Sequence, residues 1–244
     1  MESGSHDDIF VTTRWTVVLA SADHSSPQAE QAMEEICKTY WLPLYAYIRR
    51  RGQSPADAED LTQEFFHQLL DKNWIADIDR EKGRLRAFLI TALKRFMAKE
   101  WRKASAQKRG GGLFHLSIDS EMAEGRYASA AKNPSIEAEA LFDHQWALTL
   151  LELTVQRLKN EYAAAGKAEV FLALKDGLSM ISQAIDYATL ADRLSMSEGA
   201  VRVAVHRMRK RFRELYREEV AQTLPPGALL DEELRYLAGS LAQG

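Results

Sequence analysis

At 244 residues and 27.6 kDa the chain exceeds one typical domain of about 100–200 residues, so one elongated domain or two small ones are the natural partitions. Its 46% hydrophobic and 27% charged residues match globular averages and exclude a wholly disordered or collagen-like protein. A single cysteine, Cys37, excludes an internal disulfide framework and a cysteine zinc cluster and favours the cytosol. No run approaches the roughly 18 apolar residues of a membrane span, and the acidic start Met1–Asp8 is unlike a signal peptide. A cytoplasmic protein without a membrane span is expected.

Net charge is −3, from 32 basic and 35 acidic residues, and the average conceals the distribution. Lys94, Arg95, Lys99, Arg102, Lys103, Lys108 and Arg109 face one acid, Glu100. Arg202, Arg207, Arg209, Lys210, Arg211, Arg213 and Arg217, with His206, face only Glu214. Two basic segments in a mildly acidic chain point to two polyanion contacts.

Apolar spacing is helical almost throughout, so the fold class expected is all-α. Within residues 8–22 a short helix beginning after Thr12 or Thr13 would carry Trp15, Val18 and Leu19 on one side. From Pro27 to Arg51, Ala32, Ile36, Tyr40, Leu44 and Ile48 recur every fourth residue. Gly52 then closes that helix and Ser54-Pro55 opens another, running to about Leu70. A third long helix after Gly83 places Leu85, Phe88, Leu89, Ala92, Leu93 and Phe96 in the core and extends to about Ala106. Trp101 is left more open. Residues 107–135, with Gly110-Gly111-Gly112 and Asn133-Pro134, read as a linker, within which Leu113, Phe114, Leu116 and Ile118 form an apolar patch able to dock, and Tyr127 is a second docking candidate. A second helical unit follows, with Leu141, Trp146, Leu148, Leu151 and Leu158 on one helix and another helix over 170–178. Pro225-Pro226-Gly227 interrupts the chain before a tail, Leu229 to Leu241, expected to form an amphipathic turn or two.

The most specific stretch is Tyr187 to Arg217. Leu190, Ala191 and Leu194 face inward on a short helix, Ser195–Ser197 make a tight turn, and a longer helix carries the stripe Val201, Val205, Met208, Phe212 and Leu215. Ser197 suits the N-cap, and Ser195 with Glu198 suits a capping box. This is a helix-turn-helix pattern whose second helix fits the major groove. Glu198, Arg202, Val203, His206 and Arg207 are placed to reach base edges, and Arg209, Lys210, Arg211 and Arg213 to meet phosphates.

On the helix after Pro55, Asp57, Asp60 and Glu64 share one face, while Leu61, Phe65, Leu69 and Leu70 point to the core. Such a face suits a basic helix, a metal ion or bare solvent, and metal is least favoured because His67 lies on another face. In the third helix, cations interleaved with Phe96 and Trp101 suit single-stranded nucleic acid, although Phe96 also suits the core. No Gly-x-Ser-x-Gly, Walker A or His-Glu-x-x-His occurs. Neither an enzyme nor a cofactor is expected.

In this order the parts resemble the bacterial sigma-70 family, specifically the small two-domain extracytoplasmic-function (ECF) sigma factors, over roughly residues 28–105 and 140–217. Asp57-Ala-Glu-Asp-Leu-Thr-Gln-Glu-Phe-Phe66 resembles the region 2.2 helix, which docks on core RNA polymerase. Gly83 to Lys103 resembles regions 2.3 and 2.4, which open and read the minus-10 element, and Tyr187 to Arg217 resembles region 4.2, which reads the minus-35 element. The resemblance implies polymerase contacts at Asp57, Asp60, Gln63 and Glu64. It implies minus-10 contacts at Lys94, Arg95, Lys99, Trp101, Arg102 and Lys103, and minus-35 contacts at Glu198, Arg202, Val203, His206, Arg207, Arg209, Lys210 and Arg213.

The expected organisation is an arm (1–25), a region 2-like domain (26–106), a flexible linker (107–139), a region 4-like helix-turn-helix domain (140–219) and a tail (220–244). The arm, the linker and the tail are additions to a minimal member. Expected partners are core RNA polymerase and promoter DNA, with an anti-sigma factor or a regulatory kinase as candidate regulators. A helix-turn-helix regulator acting without polymerase is the alternative, and an adaptor without DNA binding a third reading.

Overall fold

The structure, a computed structural model, describes residues 27–71, 84–104, 120–131, 135–178, 185–225 and 227–242. Every regular element among them is helical: α1 (Pro27–Arg50), α2 (Pro55–Asp71), α3 (Leu85–Ala104), α4 (Ser120–Ala130), α5 (Ala138–Ala164), α6 (Ala168–Leu174) with a 3-10 turn (Lys175–Leu178), α7 (Tyr187–Leu194), α8 (Glu198–Ala221) and α9 (Leu230–Ala242). The expected helix within 8–22, the glycine run at 110–112 and the apolar patch at 113–118 lie outside the described residues.

The chain divides into two compact units, the first spanning Met1–Trp146 with Gln222–Ala228 and Ala242–Gly244, the second Ala147–Ala221 with Leu229–Leu241. In the first, α1 is the central helix. Tyr40, Trp41, Leu44, Tyr45, Ala46, Tyr47 and Ile48 are all buried, the all-round apolar pattern of a helix with neighbours on every side. Tyr40 stacks on Trp146 at 4.5 Å and Trp41 on Tyr45 at 4.9 Å. Helix α1 ends because Gly52 takes φ +91°, a conformation that L side chains rarely adopt. Helix α2 starts because the Ser54 hydroxyl accepts from the Asp57 amide at 3.1 Å while donating to the Asp57 carboxylate at 2.6 Å, with Pro55 in the first turn. Phe65 meets Phe96 of α3 edge-on at 5.7 Å, which settles Phe96 as a core residue. Phe88, expected in the core, is only half-buried.

The segment expected as linker contains α4. Glu124 on α4 accepts from Arg49 Nη2 (2.6 Å), Arg49 Nε (2.8 Å) and the Tyr45 hydroxyl (2.6 Å), and Ala130 packs with Ala46 and Leu141 beside Tyr127. Tyr127 does dock, with the Arg49 guanidinium 4.8 Å above its ring. A second ionic contact, Arg86 to Asp143 at 3.0 Å, ties α3 to the first part of α5.

In the second unit the expected stripe closes the core. Val201, Val205, Met208 and Leu215 are buried with Leu158, Phe171, Leu174 and Ala191, and Phe212 packs against them. The last helix is longer than expected. Gly227, at φ +78°, redirects the chain, and α9 then buries Glu233, Leu237 and Ser240, while Arg217 pairs with Asp231 at 2.8 Å.

Candidate nucleic-acid interfaces

On α2 the four expected polymerase contacts occupy different settings. Asp57 is committed to the Ser54 cap. Asp60 is exposed, Gln63 donates to Glu59 at 3.4 Å, and Glu64 accepts from Gln68 at 2.8 Å. The open carboxylate face is thus Asp60 with the half-buried Gln63 and Glu64, one turn apart and fixed by i,i+4 hydrogen bonds along the helix. No cluster of three potential metal ligands occurs among the described residues.

On α3 the basic block splits by helical face. Lys94 and Trp101, one heptad apart, line a groove of about 350 Å³ with Tyr47, Arg51 and Glu139. Trp101 is 49% exposed, so its ring offers a stacking face. Lys94 is exposed but already paired, 2.5 Å from the Glu139 carboxylate. That hydrogen bond raises the Lys94 pKa and holds Glu139 below the ordinary glutamate range. Burial, then the Glu139 charge, raises the Tyr47 hydroxyl. Arg95 and Lys99 are exposed on the adjacent face. The side chains of Arg102 and Lys103, in the last turn of α3, lie outside those described.

In the second unit, Asp186 starts α7 by accepting from the Thr189 amide (3.1 Å) and hydroxyl (2.6 Å), bonds that hold its carboxyl below the usual range. Ser195 takes the left-handed conformation at φ 51° and stops α7. Ser197 then caps α8, its hydroxyl accepting from the Ala200 amide at 3.2 Å, which decides between the two expected caps. The result is two helices on a three-residue turn, with Glu198, Arg202, Val203, His206, Arg207, Arg209, Lys210 and Arg213 all exposed on α8.

Exposure is not availability. Arg209 donates from Nε to the Gly177 carbonyl at 2.7 Å. Gly177 is buried, and a Cβ there would lie 3.3 Å from the Ile185 side chain, so α8 is latched onto the 3-10 turn. Arg211, expected on phosphates, is half-buried and turned away. It binds Glu161 at 2.7 and 2.9 Å and lies 3.3 Å from Glu214; these bonds raise its pKa and lower that of Glu161. Arg202 lies over the Tyr187 ring at 4.0 Å and 3.4 Å from Glu198. The side chains of His206, Arg207 and Arg213 make no hydrogen bond, ion pair or ring contact with other described residues.

The sequence reading missed Glu124, Glu139 and Asp143, the acids that clasp Arg49, Lys94 and Arg86. The only signal for them was an excess of acids between 119 and 143 beside the basic surplus of α3 and the Arg49-Arg50 pair that ends α1.

Residues 38–107 match the family model of Sigma-70 region 2. The match covers the second half of α1 with α2 and α3, including the open carboxylate face and every lining residue of the Trp101 groove named above except Glu139, and ends before α4. Neither a curated protein nor a solved structure matches the chain. No helix among the described residues is long and apolar enough to cross a membrane.

Proposed function

We propose that the protein is a transcription initiation factor of the ECF sigma type, which binds core RNA polymerase and directs it to minus-35 and minus-10 promoter elements. The observation that carries this is the coincidence of the region 2 match with the α1–α3 unit, which presents a carboxylate face on α2 and an aromatic, cationic face on α3. A separate unit, with a capped cationic helix set on a short turn from its neighbour, supplies the duplex-binding partner that such a factor needs. In this reading Asp60, Gln63 and Glu64 meet polymerase. Trp101, Arg95 and Lys99 follow the opened minus-10 strand, stacking and screening it without covalent chemistry. Arg202, Val203, His206 and Arg207 enter the minus-35 major groove, where arginine suits the paired acceptors of guanine, and Arg213 meets phosphate.

The test mixes the purified protein with bacterial core RNA polymerase for size exclusion and run-off transcription on genomic fragments. Co-elution with new promoter-specific transcripts is expected, and Asp60→Lys with Glu64→Lys should abolish co-elution while duplex binding persists. A protein that stays free of polymerase while still shifting duplex DNA would instead be a helix-turn-helix regulator acting alone.

A further inference from the structure

Arg202 differs from the other cations of α8 in what lies beneath it. Tyr187, the first residue of α7, is fixed by the Asp186 cap. Its ring packs on the core cluster that contains Ala191, Val201 and Val205. The guanidinium carbon of Arg202 sits 4.0 Å from the ring centroid. Glu198, one turn earlier on α8, holds one Nη2 edge at 3.4 Å. The guanidinium is therefore held over the ring at its centre and by Glu198 at one Nη2 edge, while the Arg202 side chain remains 58% exposed.

This arrangement has a chemical use. A guanidinium stacked through its face keeps its N–H groups in the plane, and two parallel in-plane donors are what the O6 and N7 acceptors of guanine require. An unsupported arginine must lose rotamer freedom on making the same pair, so a platform lowers the entropic cost of reading. A phosphate has no such planar requirement, which agrees with Arg213, the expected phosphate contact, having no side-chain contact to hold it among the described residues.

We propose that Tyr187 is the positioning residue for base reading by Arg202, a specificity determinant that itself touches no DNA. This rests on the reading of α8 as a duplex-reading helix. It predicts that the aromatic ring matters and the hydroxyl does not.

The experiment uses the full chain and a duplex selected with it from a random-sequence library, together with every single-base-pair variant of that duplex. Arg202→Ala first identifies the base pair at which discrimination disappears. Tyr187→Phe should retain discrimination there. Tyr187→Leu, which fills the core side but offers no π face, should lower it about two- to fivefold, leaving other positions and the salt slope unchanged. Should Tyr187→Leu fail to fold by thermal melting, Tyr187→Met, whose flexible chain fills the same space, replaces it under the same criteria. Unchanged discrimination in the non-aromatic variant, or an equal loss at every position, would overturn the positioning role while leaving the proposed function intact. A selection that enriches no sequence would overturn both.

Discussion

Replacing Glu139 by Gln tests whether the Lys94 ion pair withholds a cation from nucleic acid. The pair is 2.5 Å long with side chains 47% and 46% exposed, so its own contribution to stability is about 0–1 kcal/mol and the unit should stay folded. Acid is a poor way to break it. The Lys94 hydrogen bond holds Glu139 below its ordinary value, so the stabilisation is complete above the unfolded pKa and is lost only as pH falls through the lower folded one. The neutral amide removes the competitor at any pH.

The magnitude follows from counterion release. Each phosphate neutralised on a single strand adds about 0.7 to the slope of log affinity against log salt. One released lysine should therefore give the variant about 2.5-fold more affinity gain than wild type between about 200 and 50 mM salt. Fluorescence anisotropy with a labelled single-stranded oligonucleotide measures both slopes. Lys94→Ala in the Glu139→Gln background should return the slope to that of wild type. An unchanged slope in Glu139→Gln would refute the reasoning, because Lys94 would then serve phosphate equally well with Glu139 in place.

Glu124→Gln should cost about 1–3 kcal/mol in the first unit, since it weakens charge-assisted bonds to Arg49 and Tyr45; all five tryptophans lie within Met1–Trp146, so denaturant unfolding followed by their fluorescence reports that unit alone. Arg211→Ala should destabilise the second unit by about 1–3 kcal/mol while leaving the duplex salt slope unchanged, whereas Arg213→Ala should leave stability within about 0.5 kcal/mol and reduce that slope by about 0.9; circular dichroism melting and anisotropy separate the two. Burial, reinforced by the Glu233 charge, pushes the Tyr216 hydroxyl up to about 12. Its contribution is therefore complete below pH 10 and lost as pH rises towards 12. Alkaline loss of helicity in the second unit should shift in Tyr216→Phe.

The helices and their ends were legible wherever the signal is local. Four-residue spacing placed α1, Gly52 closed it, Ser54-Pro55 opened α2, and the 201/205/208/212/215 stripe is the buried face of α8. Helix α4 was not legible, because Ser-Glu-Met-Ala-Glu-Gly-Arg-Tyr-Ala-Ser-Ala carries no apolar stripe. It is held by Arg49, 75 residues away in sequence, and by the small contact of Ala130 with Ala46 and Leu141. The length of α9 was hidden for the same reason, since its inward residues include Glu233 and Ser240, which read as surface in a linear pattern.

The same distinction governs the basic segments. Sequence counts cations, but binding depends on cations that are not already spent on carboxylates. On α8, Arg211 and Arg217 have intramolecular acids within 3 Å, Arg209 is bound to a carbonyl, and Lys210 lies 4.0 Å from Glu214. His206, Arg207 and Arg213 have no such partner among the described residues. A paired arginine recruits few counterions of its own, so it has few to release on meeting a phosphate. The duplex salt slope of this helix should consequently follow its unpaired cations and fall well short of the sequence count. If Arg202 reads a base as proposed, the ring 4.0 Å beneath it should separate it from Arg213, an arginine of the same helix with no such support among the described residues: Arg202→Ala should change sequence discrimination and Arg213→Ala the salt slope.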